Sequence, residues 1–138
     1  MKKRIADQIL RTVGLIILTL LTSNASHDQN NGCLIKIRTG EFVSVSEDGK
    51  ELPYKVTRGE TEQIETYNDG KSKIISKIVW TSDSSFTLTT TNKINAPGCD
   101  KVGAVAFVKV INCEGAIQVY QWSQEGCGTG TTRLRQIK

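Results

Sequence analysis

Residues 71–91 read KSKIISKIVWTSDSSFTLTTT, and this stretch decides the fold. Its first half alternates. Ile74, Ser76, Ile78 and Trp80 fall on one side of an extended chain, and Lys73, Ile75, Lys77 and Val79 on the other. Side chains of a strand point to opposite faces with period two, so one face is written for a core and the other for water. Thr81-Ser82-Asp83 turns the chain. Ser84 to Thr91 then returns it, with Phe86 and Leu88 facing in and Thr87 and Thr89 facing out. Two such runs joined by a tight turn predict an antiparallel hairpin.

The same grammar extends in both directions. Upstream, Leu34 to Arg38, Glu41 to Ser46, Tyr54 to Arg58 and Thr61 to Tyr67 are short β-favouring runs. Thr39-Gly40, Glu47-Asp48-Gly49-Lys50, Gly59-Glu60 and Asn68-Asp69-Gly70 punctuate them. Asp-Gly between such runs marks a hairpin, because glycine accepts positive φ at little cost. Downstream, Asn92 to Val102 is a longer connection that holds Pro97-Gly98-Cys99. Gly103 to Cys113 is apolar on both faces and is expected to be the best buried strand. Glu114-Gly115 turns it into Ala116 to Gln124. Gly126 to Thr132 reads as a flexible tail or bulged edge, and Arg133 to Ile137 as a last edge strand. No segment holds a 3.6-residue apolar period over three turns. The expected fold is all-β: an antiparallel meander of about eight strands closing into a small up-and-down barrel or curled sheet, which removes exposed edges. A two-sheet β-sandwich is the alternative.

The first 25 residues read differently. Lys2, Lys3, Arg4 and Arg11 give a positive start, and Val13 to Leu21 (VGLIILTLL) is apolar. That run is about half of what spans a bilayer as a helix. Ser23-Asn24-Ala25 supplies small residues at the positions a signal peptidase reads. Residues 1–25 are therefore expected to be a signal peptide cleaved after Ala25. Residues 26–32 form a polar, disordered leader, and residues 33–138 are one domain of an exported periplasmic or extracellular protein. Cys33 stands too far past the apolar run to be a lipid-modified cysteine, so a soluble product is expected rather than a lipid-anchored one, and the domain is not expected to span a membrane.

Removing the leader changes the charge argument. The whole chain carries +4, but residues 1–25 hold four basic residues and one acidic one, which leaves 14 basic against 13 acidic. A nearly neutral domain has no electrostatic reason to seek nucleic acid. The about 113 remaining residues suit a single core. A monomer is expected.

Several chemistries lack their residues. The one histidine, His27, lies in the polar leader, which removes Ser-His-Asp and Cys-His catalysis and most zinc or iron sites. GCGTGTT at 126–132 lacks the lysine and following helix of a phosphate loop. Glu65 and Asp83 are a conceivable carboxylate pair for a hydrolase, but any small protein offers one. Neither a cofactor nor a metal is expected. The four cysteines allow three pairings. A tight hairpin at Glu114-Gly115 brings Cys127 opposite Val102, a short bend from Cys99, so Cys99–Cys127 is expected. Cys33–Cys113 follows only by elimination.

A likeness emerges from scattered positions. Thr39-Gly40-Glu41-Phe42, then Arg58 with Gln63 and Glu65, then Trp80 with Asp83, Phe86 and Leu88, then Gly103 before Val105, Phe107 and Val110, with Tyr120 on the return strand, follow one order. This pattern resembles that of small exported proteins and lipoproteins of Bacteroidota-type bacteria. The resemblance implies a lipocalin-like barrel and brings no assigned activity. Ser84 departs from it, standing where that family usually has cysteine. If that cysteine normally pairs with the amino-terminal one, Cys33 here lacks its usual partner.

The candidate ligand-binding residues are Arg58, Gln63, Glu65, Trp80, Tyr120 and Trp122. Arg58 and Glu65 on adjacent strands either line a barrel mouth or form a plain cross-strand ion pair, the simpler reading. Trp80, Phe86 and Phe107 are expected to fill the core rather than floor a cavity. Tyr120 and Trp122 share a face, exposed if Ile117, Val119 and Gln121 turn inward. The expected function is non-catalytic binding of a small ligand or protein partner, with a structural or accessory module of the cell envelope as the alternative.

Overall fold

A computed structural model describes residues 37–138 apart from Pro97 and Asp100. The expected signal peptide and polar leader, together with Cys33, lie outside the described residues. Eight strands follow one another: β1 (Gly40–Val45), β2 (Glu51–Arg58), β3 (Glu62–Tyr67), β4 (Ser72–Trp80), β5 (Ser85–Ile94), β6 (Val105–Glu114), β7 (Ile117–Gln124) and β8 (Gly128–Gln136). Each pairs antiparallel with the next, and β8 pairs back onto β1, with Ser44 opposite Leu134. The sheet is a closed barrel, so the sandwich alternative is set aside.

The deciding hairpin is β4–β5. Trp80 pairs with Phe86 and Ile78 with Leu88. Ile74, Ser76, Ile78, Phe86, Leu88 and Thr90 are buried, while Lys73, Lys77 and Val79 face out. The register shifts between Ile75 and Ser76, which bends the strand as barrel curvature requires. At the β3–β4 turn, Asn68 and Asp69 take φ of 50° and 55°, the left-handed region that Asn and Asp tolerate better than other non-glycine residues.

Four expectations need correction. Ile37 and Arg38 are turn and bend, not the end of a strand. Ile37 is instead fully buried among the core residues, because the segment before β1 crosses the barrel's end rather than adding to its sheet. β2 begins at Glu51, three residues before the expected Tyr54. The Gly/Thr-rich stretch is no tail, since Gly128 to Thr132 is the first half of β8. Its poverty in side chains serves packing: a Cβ on Gly130 would meet Cζ2 of Trp122 at 2.5 Å, so glycine lets the indole lie flat on the strand. Finally, β6 is buried on one face only. Val108 and Val110 point in, while Val105, Phe107 (62 % exposed) and Ile111 point out. A closed single sheet has one interior, so the second apolar face of β6 meets solvent.

The chain ends lock the closure. The Glu41 N–H donates to the Lys138 carbonyl at 2.9 Å, and the Ile137 N–H to the Glu41 carbonyl at 2.8 Å. An up-and-down barrel puts alternate connections at each end. The β2–β3, β4–β5 and β6–β7 turns share one end with both chain ends of the barrel, and Ile37 plugs it. The β1–β2, β3–β4, β5–β6 and β7–β8 connections share the other. Cys99 and Cys127 are joined there as a disulfide, Cα–Cα 5.5 Å, as the sequence reading expected. The hairpin register differs slightly from the expected one. Phe107 sits opposite Ser123, and the ladder slips between Val110 and Asn112. No described cysteine is free; the Cys33–Cys113 pairing involves a residue outside the described set.

Candidate binding cavity

Strand alternation sends Tyr54, Val56 and Arg58 of β2 inward, and Gln63, Glu65 and Tyr67 of β3 with them. The register places Arg58 opposite Gln63 and Val56 opposite Glu65. Arg58 and Glu65 are therefore two steps apart on the ladder, and Gln63 lies between them. Arg58 Nε donates to Gln63 Oε1 at 2.7 Å, and Gln63 Nε2 donates to Glu65 Oε1 at 2.9 Å. The Tyr67 hydroxyl donates to Glu65 Oε2 at 3.1 Å. The expected direct ion pair is thus replaced by a relay through an amide, because the cross-strand neighbour of Arg58 is Gln63.

Arg58 is also deeper than a mouth residue. It is 3 % exposed and sits beside the β2–β3 turn, at the plugged end. Its Nη1 donates to the Ile37 carbonyl at 2.6 Å and to the Tyr120 hydroxyl at 3.0 Å. The guanidinium carbon lies 5.0 Å from the Phe42 ring centre, 4.8 Å from Phe86 and 5.1 Å from Tyr120. A guanidinium over aromatic faces is attracted by their quadrupoles, more so when desolvated. Ring–ring contacts extend the cage: Phe86 meets Tyr120 edge-on at 6.3 Å and Trp80 at 4.6 Å.

Above this floor the barrel is not filled. A cavity of about 610 Å³ is lined by Arg58, Gln63, Glu65, Tyr54 and Tyr67 on the β2–β3 wall. Phe86, Leu88, Ala106, Val108 and Trp122 make an apolar wall across from them, and Cys99, Gln124 and Cys127 stand at the end held by the disulfide. Phe86 therefore both packs the floor and borders empty space, against the expectation of a filled interior. Phe107 does neither, since it lies outside the barrel.

Five of the six candidate residues, Arg58, Gln63, Glu65, Tyr120 and Trp122, border this one cavity. Trp80 does not; it stacks between Phe86 and the guanidinium of Arg38, 4.9 Å from its ring centre. Tyr120 and Trp122 face inward, so of the two arrangements open for β7 the one that would have exposed them does not occur. Gln121 carries the solvent side of β7 in their place. The sequence reading missed Tyr54 and Tyr67, although their two-residue spacing from Val56 and Glu65 on an inward face was the signal. It also missed Phe42 and Ile37, which complete the arginine's surroundings.

Burial sets the acid–base behaviour of the phenols. Tyr54 packs on Tyr67 at 4.9 Å. Loss of hydration, reinforced by the Glu65 carboxylate, pushes its hydroxyl well above the ordinary 10.0. Burial also raises Tyr120, and Arg58 opposes that rise. Both phenols are neutral near pH 7 and serve as hydrogen-bonding groups. Asp83 is exposed on the β4–β5 turn and pairs with Arg38 at 3.0 Å, so it does not join Glu65 at the cavity. Among the described residues no group of three His, Cys, Asp or Glu is placed to hold a metal ion, and no helix is long and apolar enough to cross a membrane.

Fold and site together define an eight-stranded antiparallel barrel with a caged arginine beneath a partly polar cavity. No family model, curated protein or solved structure matches the chain.

Proposed function

We propose that the mature domain is an exported, non-catalytic, monomeric barrel that binds a small ligand inside the sheet. The supporting observation is the cavity of about 610 Å³ with one polar and one apolar wall. Sites for small organic ligands have volumes of roughly 300–1,000 Å³, mostly apolar walls and a few convergent polar groups. The polar groups here are placed for recognition rather than reaction. Both Glu65 oxygens already accept hydrogen bonds, and the other acid considered for catalysis lies outside the barrel.

Export is supported by the basic-apolar-small order of residues 1–25 and by the Cys99–Cys127 disulfide, a bond that persists in oxidising compartments. The likeness to small exported Bacteroidota-type proteins agrees with both. Expression of the full chain in a bacterium, followed by fractionation and native mass spectrometry, tests the whole reading. The expected product begins at Ser26, leaves the cytoplasm and carries a small molecule that collisional activation removes. Intact precursor in the cytosol would refute export. A bare barrel that also fails to bind apolar fluorophores would refute ligand binding. The accessory-module alternative draws on the outward stripe of Val105, Phe107 and Ile111 on β6. In that case Phe107→Ser would abolish association with an envelope partner and leave the cavity unaffected.

A further inference from the structure

We propose that the cavity ligand is an anionic amphiphile, its negative head paired with Arg58 and its apolar body lying along Phe86, Leu88, Val108 and Trp122. This rests on the ligand-binding reading above and supplies its chemistry.

A guanidinium has five N–H donors and no acceptor. Arg58 spends Nε on Gln63 and the two Nη1 protons on Ile37 and Tyr120. The hydrogen bonds of Arg58 to the described residues all run through Nε and Nη1, and Nη2 is not among the buried atoms left without a partner, so it keeps open surface where Arg58 borders the cavity. No carboxylate is within ion-pair distance either: the ion pairs of the described residues are Arg38–Asp83, Lys50–Asp48, Arg133–Glu114, Arg135–Glu51 and Lys138–Glu41. A buried charge without a partner is costly. The three rings around Arg58 offset part of that cost, and Glu65 balances the charge only through Gln63.

The remaining polar atoms point the same way. The buried side-chain atoms left without a partner among the described residues are Gln124 Nε2 and Arg133 Nε. Both are donors; Gln124 shares the inward face of β7 with Tyr120 and Trp122 and lines this cavity, while Arg133 stands opposite Val119 on the outer face and pairs with Glu114. The acid of the cavity wall offers the reverse situation. Glu65 Oε1 is held by Gln63 and Oε2 by Tyr67, so a cationic head would have to displace two hydrogen bonds. An anionic head finds open N–H groups and a buried positive charge. The apolar wall supplies the surface for a hydrocarbon body.

The test uses the mature protein freed of bound lipid and three probes with the same chain: laurate, methyl laurate and dodecylammonium. Trp122 lines the cavity, so indole fluorescence reports occupancy. Laurate is expected to bind at least about tenfold more tightly than either of the others, since hydrogen bonds to charged groups are the stronger ones. In Arg58→Gln, with folding checked by near-ultraviolet circular dichroism, that preference is expected to disappear. Should Arg58→Gln fail to fold, the order of the three probes on the unmodified protein still decides. Equal or tighter binding of the ester or the ammonium overturns the anionic head and leaves ligand binding standing. Failure of all three probes, together with a bare native mass, overturns both.

Discussion

Arg58 follows Tyr54 and Val56 on the inward face of β2, so strand geometry alone carries its guanidinium into the barrel. Once there it holds three separate parts of the chain: β3 through Gln63, the segment before β1 through the Ile37 carbonyl, and β7 through the Tyr120 hydroxyl. Arg58→Met keeps length and apolar volume but strands those three acceptors. Leaving buried acceptors unpaired costs about 1–3 kcal/mol, and the urea midpoint at neutral pH is expected to fall by that equivalent. A loss under about 1 kcal/mol would show that the three contacts do not hold the floor together. The phenols give a second expectation. Tyr54 and Tyr120 keep their protons in the folded state above the ordinary 10.0, whereas the unfolded chain releases them there. The unfolded state then binds fewer protons, so this contribution is fully present below about pH 10 and is lost as pH rises beyond it. Urea midpoints measured at about pH 8 and about pH 11 are expected to decline, and Tyr54→Phe to flatten the decline. Equal midpoints at the two values would contradict the raised phenols.

At the scale of elements, β8 is the strand on which closure depends. It contributes Leu134 to the core, Gly130 beneath Trp122, and the ladder that returns to β1. Deleting residues 133–138 removes Leu134, every β1–β8 pairing and the acceptor for the Glu41 N–H. The shortened chain is expected to lose its cooperative urea transition and to bind ANS. A retained sharp transition would mean that an open sheet with a shortened β8 is self-sufficient. This strand also shows what the sequence could and could not reveal. β4 and β5 were legible because Ile74, Ile78, Phe86 and Leu88 alternate with lysine and threonine, a period that has one physical cause. The first half of β8 was not, because GTGTT carries no alternating apolar signal; its fitness for a strand lies in the indole packed above it. β6 misled in the opposite sense. Its apolar residues on both faces look like a doubly covered strand, yet a closed sheet covers one face only. Likewise the pairing of Arg58 with Gln63 needed the register, which sequence spacing does not fix.

At the scale of the whole molecule, two devices of different kinds hold the barrel. The hydrogen-bond ladder runs around the full circumference and leaves no sheet edge. The Cys99–Cys127 disulfide instead ties the β5–β6 connection to the β7–β8 turn, at one end and across a sequence separation of 28. A bond closing a loop of that length stabilises mainly by restricting the unfolded chain, by about 3–4 kcal/mol. Total stabilities of such domains are about 5–15 kcal/mol, so the ladder alone is expected to suffice. The double substitution Cys99→Ser with Cys127→Ser should therefore keep a β-type circular dichroism spectrum and the near-ultraviolet signal of the Tyr120 and Phe86 cage, while its denaturation midpoint falls by the equivalent of about 3–4 kcal/mol. An unfolded double variant would mean that closure of the sheet does not stand without its clamp. An unchanged midpoint would mean that the clamp acts on the rim of the cavity alone, and the place to seek its effect would then be the rate at which ligand leaves.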